Sequence, residues 1–229
     1  ITRVFAAFTI LVALLLAVRP ADAATGNIME FDLPSSDTGP FGIASGPDGN
    51  MWFTQYEGNR IGVVDTGLAL SCFGLPATIY AVPGEVTMGT SGADVIVGTS
   101  GPDLIYGHGG DDTICSLGGR DRVFGDTGSD RIDLGAGHDF AKGGAGNDEI
   151  QGRKGRDIIF GNAGEDQLRG GSQGDYISGG KHADVIHGNS GPDKLVGRSG
   201  SDKLHGGTGS DRCYGGSGAD YTTSCEIRS

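Results

Sequence analysis

From Asp94 to Asp220 an aspartate stands at every ninth position. Set in frames of nine from Gly89 to Thr223, the chain gives fifteen copies, numbered 1–15 here, and each holds Asp at its sixth place. The fourth place is Gly in thirteen copies; Gln173 and His182 are the exceptions. Carboxylates spaced so regularly behind turn residues are oxygen donors for a hard cation. Calcium takes six to eight oxygens in flexible geometry, from carboxylates and main-chain carbonyls alike. Glycine supplies positive φ and lets the backbone approach an ion closely.

Positioning comes from the other places of the frame. The eighth is Ile, Val or Leu in twelve copies, with Ala141, Cys213 and Thr222 in the rest. Strand side chains alternate in direction. An inward eighth place therefore turns the seventh and ninth outward, where Arg122, Lys142, Glu149 and Lys194 stand. A three-residue strand buries little alone and must stack on copies of itself, as in a solenoid. With two copies per coil, turns on one edge lie about 4.8 Å apart. Two carboxylates at that distance repel by roughly 0.9 kcal/mol in water, and by about 3.5 at an effective dielectric of 20. A cation between rungs relieves that repulsion. A Gly/Asp-rich linker would not place an aliphatic residue two positions after each Asp.

This frame resembles the calcium-binding nonapeptide repeat of RTX proteins, G-G-x-G-x-D-x-U-x, over residues 89–223. The resemblance implies an all-β fold, a parallel β-roll solenoid with Ca2+ as cofactor between stacked turns. Its implied ligands are Asp94, Asp103, Asp112, Asp121, Asp130, Asp139, Asp148, Asp166, Asp175, Asp184, Asp193, Asp202, Asp211 and Asp220. The turn glycines Gly107, Gly125, Gly143 and Gly161 join them.

Departures from the repeat predict unequal edges. Odd copies carry turns 107–112, 125–130, 143–148 and 161–166, which lack Lys and Arg and add Asp111, Asp126 and Glu165. Even copies include Arg120, and Arg153, Lys154 and Arg156 in the turn of Asp157. A fixed cation about 5 Å from a site costs roughly 3 kcal/mol per unit of ion charge at a dielectric of 20. The tightest ions are therefore expected among Asp112, Asp130, Asp148 and Asp166, with a gap at Asp157.

Residues 1–23 read as an N-terminal signal helix: Arg3, the apolar run Val4–Val18, then Ala21-Asp22-Ala23 as a small-x-small cleavage pattern. Fifteen apolar residues are short for a membrane span of about 20. Exported cysteines form disulfides. Four allow three pairings. Cys213 and Cys225 are neighbours in sequence at the C-terminal end, which leaves Cys72 with Cys115. RTX proteins commonly leave by a C-terminal signal; an N-terminal signal and disulfides point to a Sec-type route instead.

The segment GPFGIASGPDGNMWFTQYEGNRIGVVD predicts short strands at Ile43–Ser45, Met51–Thr54 and Arg60–Asp65. It resembles one blade of the virginiamycin B lyase (streptogramin lyase) β-propeller family. That family's lyases use a histidine base and magnesium, yet all five histidines here, His108, His138, His182, His187 and His205, lie in the repeats. The expected organisation is signal 1–23, antiparallel blade-like segment 24–66, connecting segment 67–88, β-roll 89–223 and disulfide-bearing cap 224–229.

A net charge of -12 argues against nucleic acid as partner. No H-E-x-x-H or Walker A sequence occurs, and the one G-x-S-x-G match, Gly170–Gly174, lies inside the repeat frame. The sequence therefore predicts an exported, non-enzymatic calcium-binding protein, structural or adhesive, with calcium ions and cell-surface or extracellular partners and no membrane span after signal cleavage. The alternative is a fragment of a lyase fused to a β-roll.

Overall fold

The computed structural model describes residues 71–226 in full, and from residues 1–70 the strands Arg19–Pro20, Ile28–Asp32, Ile43–Ser45, Met51–Gln55 and Arg60–Val64. The chain divides into two units, Ile1–Ala69 and Leu70–Ser229. The rest of the expected signal segment lies outside the described residues. No helix among those described is long and apolar enough to cross a membrane.

In the first unit the five strands form one antiparallel sheet. Ile43–Ser45, Met51–Gln55 and Arg60–Val64 follow one another as a meander, with Ile43 opposite Phe53 and Trp52 opposite Val63. Ile28–Asp32 joins the far side of Arg60–Val64, with Ile28 opposite Val64. The three strands expected in this segment are all present, the second one residue longer and the third one shorter. Gly58-Asn59 and Asp48-Gly49-Asn50 fall between them, where turn residues belong.

The second unit is a parallel solenoid. Odd copies stack into one sheet, in which Ile96, Ile114, Ile132, Ile150, Leu168, Ile186, Leu204 and Thr222 face one another in register. Even copies form the second sheet, through Ile105, Val123, Ala141, Ile159, Ile177, Leu195 and Cys213. Every register step is 18 residues, so one coil is two copies. The eighth-place residues from Ile96 to Leu204 are 0–1% exposed and make a single core between the sheets. That core is one side chain deep per copy. The stack depends correspondingly on what its turns contribute.

Residues 71–88 form a coil ahead of copy 1. Ile79–Tyr80 pairs with Ile96–Val97 on the odd sheet, and Val86–Met88 pairs with Leu104–Tyr106 on the even sheet. Disulfides join Cys72 to Cys115 and Cys213 to Cys225. The first seals a small cluster of Cys72, Val97 and Cys115 with Phe73 and Ala77. The second brings Cys225 against the last core residue. At that end Glu226 N also donates to Asp211 O at 2.6 Å, continuing the ladder past copy 15. Both ends of the stack are thus closed covalently, as a solenoid's exposed ends require.

Candidate metal centre

The frame fixes each aspartate between a tight turn and a strand. From copy 3 on, the second place has left-handed φ whichever residue stands there: His108 at 72°, Asp126 at 73°, Arg153 at 75°, Asn162 at 80°. Gln173 and His182 accept the same region at the fourth place, at 77° and 72°. Such residues prefer glycine. Main-chain bonds between coils hold them there, for example Gly128 N to Ala145 O and Gly146 N to Ala163 O, both 2.8 Å.

The turns drive the aspartates inward. Asp112 to Asp211, each at the sixth place, are 3% exposed or less. One carboxylate oxygen staples the coils together. Asp112 N donates to Asp130 Oδ1 at 2.9 Å, Asp130 N to Asp148 Oδ1 at 2.9 Å, and the pattern repeats on both edges up to Asp202 and Asp220 at 3.1 Å. The other oxygen has no partner. Oδ2 of Asp112, Asp121, Asp130, Asp139, Asp148, Asp157, Asp166, Asp175, Asp184, Asp193, Asp202 and Asp211 is buried and unbonded. A buried acceptor left so costs on the order of 1–3 kcal/mol, more if charged.

Outside copies 4 and 6, each orphaned oxygen borders a space that glycine keeps open. A Cβ on Gly125 would collide with Asp130 Oδ2 and approach the Gly143 carbonyl; one on Gly107 or Gly161 would meet Asp112 or Asp166 in the same way. A carboxylate oxygen and a main-chain carbonyl therefore share one small cradle. Among the described residues no three His, Cys, Asp or Glu side chains converge. The donor set is accordingly carboxylate oxygen supplemented by carbonyls. That set suits Ca2+, which accepts both, and does not suit zinc, which takes His and Cys.

Burial, opposed by the stapling N–H and reinforced by the carboxylates above and below, raises the acids. Asp148 and Asp175 reach about 8, and Asp112 and Asp184 about 7. Asp157, raised by burial and by Asp139, also reaches about 7. Asp121 reaches about 6, raised by burial and opposed by the stapling N–H. Without a cation these groups hold protons in a range where free aspartate is ionised.

Two groups of turns depart from this arrangement. In copies 1 and 2 the second place is threonine. Thr90 N and Oγ1 donate to Asp94 Oδ2 at 2.6 and 2.9 Å. Thr99 N donates to Asp103 Oδ2 at 2.7 Å, and its Oγ1 reaches both oxygens at 3.0 and 3.2 Å. These two carboxylates are satisfied within their own turns. In copies 4 and 6 the first place is Ser116 and Leu134 instead of glycine. Leu134 is wholly buried in the core, so a side chain stands where other turns have a cradle. Thr90, Thr99, Ser116 and Leu134 break the repeat visibly, and reading places one and two copy by copy would have exposed them.

Several of the charged residues expected to set the edges apart have contacts outside the cradles, although Asp111 and Asp126 still raise Asp130 and Glu165 raises Asp184. Arg153 turns out to Asp133, with Nη2 2.6 Å from Oδ2. Asp157 has the stapled Oδ1 and orphaned Oδ2 of its neighbours. Asp111 Oδ1 accepts from Ser129 N at 2.7 Å, Asp126 lies 3.6 Å from His108, and Glu165 is exposed.

Two facing parallel sheets with carboxylate-lined turns along both edges define a β-roll. The RTX calcium-binding nonapeptide repeat matches residues 88–123, 116–141, 142–177, 160–195 and 187–221, more than half of the chain. The protein belongs to that family. Residues 22–97 match the virginiamycin B lyase family, which reaches past the blade-like segment into copy 1. No curated protein matches the chain.

Proposed function

We propose that this is an exported protein whose β-roll is completed by calcium held between successive turns, with a structural or adhesive role and no catalytic one. The observation that carries this reading is the row of twelve buried Oδ2 atoms without partners. A divalent ion bridging turns supplies each with its missing contact and removes the repulsion along the edge. Binding energy then becomes folding energy.

The cradles support an assignment of the turns that take part. The ligands are Asp112, Asp130, Asp148, Asp166, Asp184 and Asp202 on the odd edge, and Asp157, Asp175, Asp193 and Asp211 on the even edge. Asp94 and Asp103 act as self-satisfied closing turns. Asp121 and Asp139, beside Ser116 and Leu134, are weak positions. The disulfides fit an oxidising compartment, consistent with export through the N-terminal signal. Titrating calcium into the chelated protein at pH 8 should restore strand signal in far-ultraviolet circular dichroism and raise the melting temperature. An unchanged spectrum and melt would remove calcium from the account.

The virginiamycin B lyase match supports a second reading, a lyase-related fragment fused to the roll. The matched residues contain no histidine to serve as the base that family uses. Assay of the purified chain on a cyclic ester substrate with magnesium separates the readings: turnover would establish the second.

A further inference from the structure

The two outer faces of the roll differ in chemistry. Outward places on the odd strands mix signs, with Arg131 3.2 Å from Glu149 and Arg169 3.2 Å from the same carboxylate. The coil ahead of copy 1 covers part of that face, where Arg131 lies over the Phe73 ring at 3.6 Å. The fourteen outward places of the seven even copies hold six aromatic rings, four cations and no carboxylate. The rings run as one path: Tyr106 to Phe124 at 4.8 Å, then Phe140, Phe160 and Tyr176 at 5.7–5.8 Å steps. Arg122, Lys142 and Lys194 lie 5.2–6.0 Å from those rings. Ile158 is 43% exposed, and Met88 on the strand ahead of the row 59%.

We infer that the outer face of the even sheet docks on an anionic lipid surface, its rings and aliphatic side chains at the headgroup level and its cations on lipid phosphates. Charge complementarity selects this occupant. The face is uniformly basic on a protein of net charge -12, so a second copy applied face to face would set cations against cations. A soluble polyanion could meet the cations but would leave the apolar row in water. Sugar stacking needs free ring faces, whereas Tyr106 and Phe124 lie 9° from parallel against each other. A flat anionic bilayer takes both features: amphipathic rings favour the interface, and basic residues favour anionic headgroups within a Debye length. The proposal rests on the folded roll, not on how many ions it holds.

The test is co-sedimentation of the full chain, with strand content first confirmed by circular dichroism. Vesicles are phosphatidylcholine alone or a 3:1 mixture of phosphatidylcholine and phosphatidylglycerol, at 0.15 M salt. Binding to the mixed vesicles is expected, with at least tenfold less to neutral ones. The double variant Lys142→Gln, Lys194→Gln should lose about tenfold, and Ile158→Asp a similar factor, at unchanged strand content. Lys203→Gln on the odd face should change nothing. Equal binding to both vesicles, no binding, or equal losses from odd-face and even-face variants would overturn the proposal; the last is the mark of nonspecific charge attraction. Full displacement by soluble polygalacturonate with Ile158→Asp still binding would identify a polyanion instead and overturn it too.

Discussion

Copies 1 and 2 and the twelve copies after them share one frame and satisfy its aspartate differently. In the first two turns, threonine supplies an N–H and a hydroxyl to the same carboxylate. In the later turns the second place turns left-handed and Oδ2 is left unpaired, facing a glycine-walled space in all but copies 4 and 6. The opening turns are therefore complete as a peptide, and the later ones are complete only with something added. The comparison separates two roles that the repeat's regularity conceals: a closing section that needs no ion, tied by Cys72–Cys115, and a section whose stability is conditional.

The largest expected consequence is a reversal with pH. In the absence of calcium, folded carboxylates such as Asp148 and Asp175 keep protons to about pH 8, while unfolded ones release them near 3.8. Between those values the folded state binds more protons, so stability falls as pH rises. It is fully present below about 3.8 and lost through 6–8. Chelated protein should thus hold strand signal at pH 5 and lose most of it at pH 8.5. With calcium the trend inverts, because ion and proton compete for one oxygen and affinity climbs toward pH 8. A chelated protein equally folded at both values would show that the orphaned oxygens cost nothing.

Single aspartates should sharpen the division. Asp148→Ala is expected to remove one or two ions per molecule by calorimetry and to destabilise the calcium form by roughly 1–3 kcal/mol. Asp94→Ala should leave the stoichiometry intact. Equal losses at both would erase the distinction between the sections. A smaller effect belongs to the interrupted even edge. Leu134→Gly opens a cradle beside Asp139 and should add an ion, at the expense of a buried side chain worth roughly 1.5–3 kcal/mol. An unchanged ion count would show that Leu134 does not block the turn. The smallest effect is expected from Thr99→Val, which removes one hydroxyl donor while Thr99's N–H remains. The loss is about 1 kcal/mol, or some 2–4 °C in melting temperature. A loss of calcium in this variant would contradict the assignment of Asp103 to the ion-free section.

The coil architecture could be read from the chain because one apolar side chain per nine residues has a single periodic solution, and Ile96 through Leu204 occupy it. The aspartate row was equally plain. What the repeat could not reveal was the direction of its charged residues. Arg153 reaches outward to Asp133, so its nearness to Asp157 in sequence does not aim its charge at that carboxylate. Asp111 and Asp126 likewise spend their oxygens outside the cradle. The informative substitutions were small ones at places one and two, Thr90, Thr99, Ser116 and Leu134, whose effect depends on whether a Cβ or hydroxyl lands on Oδ2. That is a question of side-chain placement, which spacing alone does not answer. The basic aromatic face was hidden for another reason: its members sit 18 residues apart and become neighbours only when alternate copies stack.

The most direct test of the central claim is hydrogen exchange at pH 8, followed amide by amide with calcium and with a chelator. The account requires the ladder amides of Asp112 to Asp202 to lose protection together when calcium is withdrawn, while Gly89, Gly98 and the Thr78–Ala81 amides bonded to copy 1 keep most of theirs. Uniform protection with and without calcium, or loss that begins in copies 1 and 2, would contradict it.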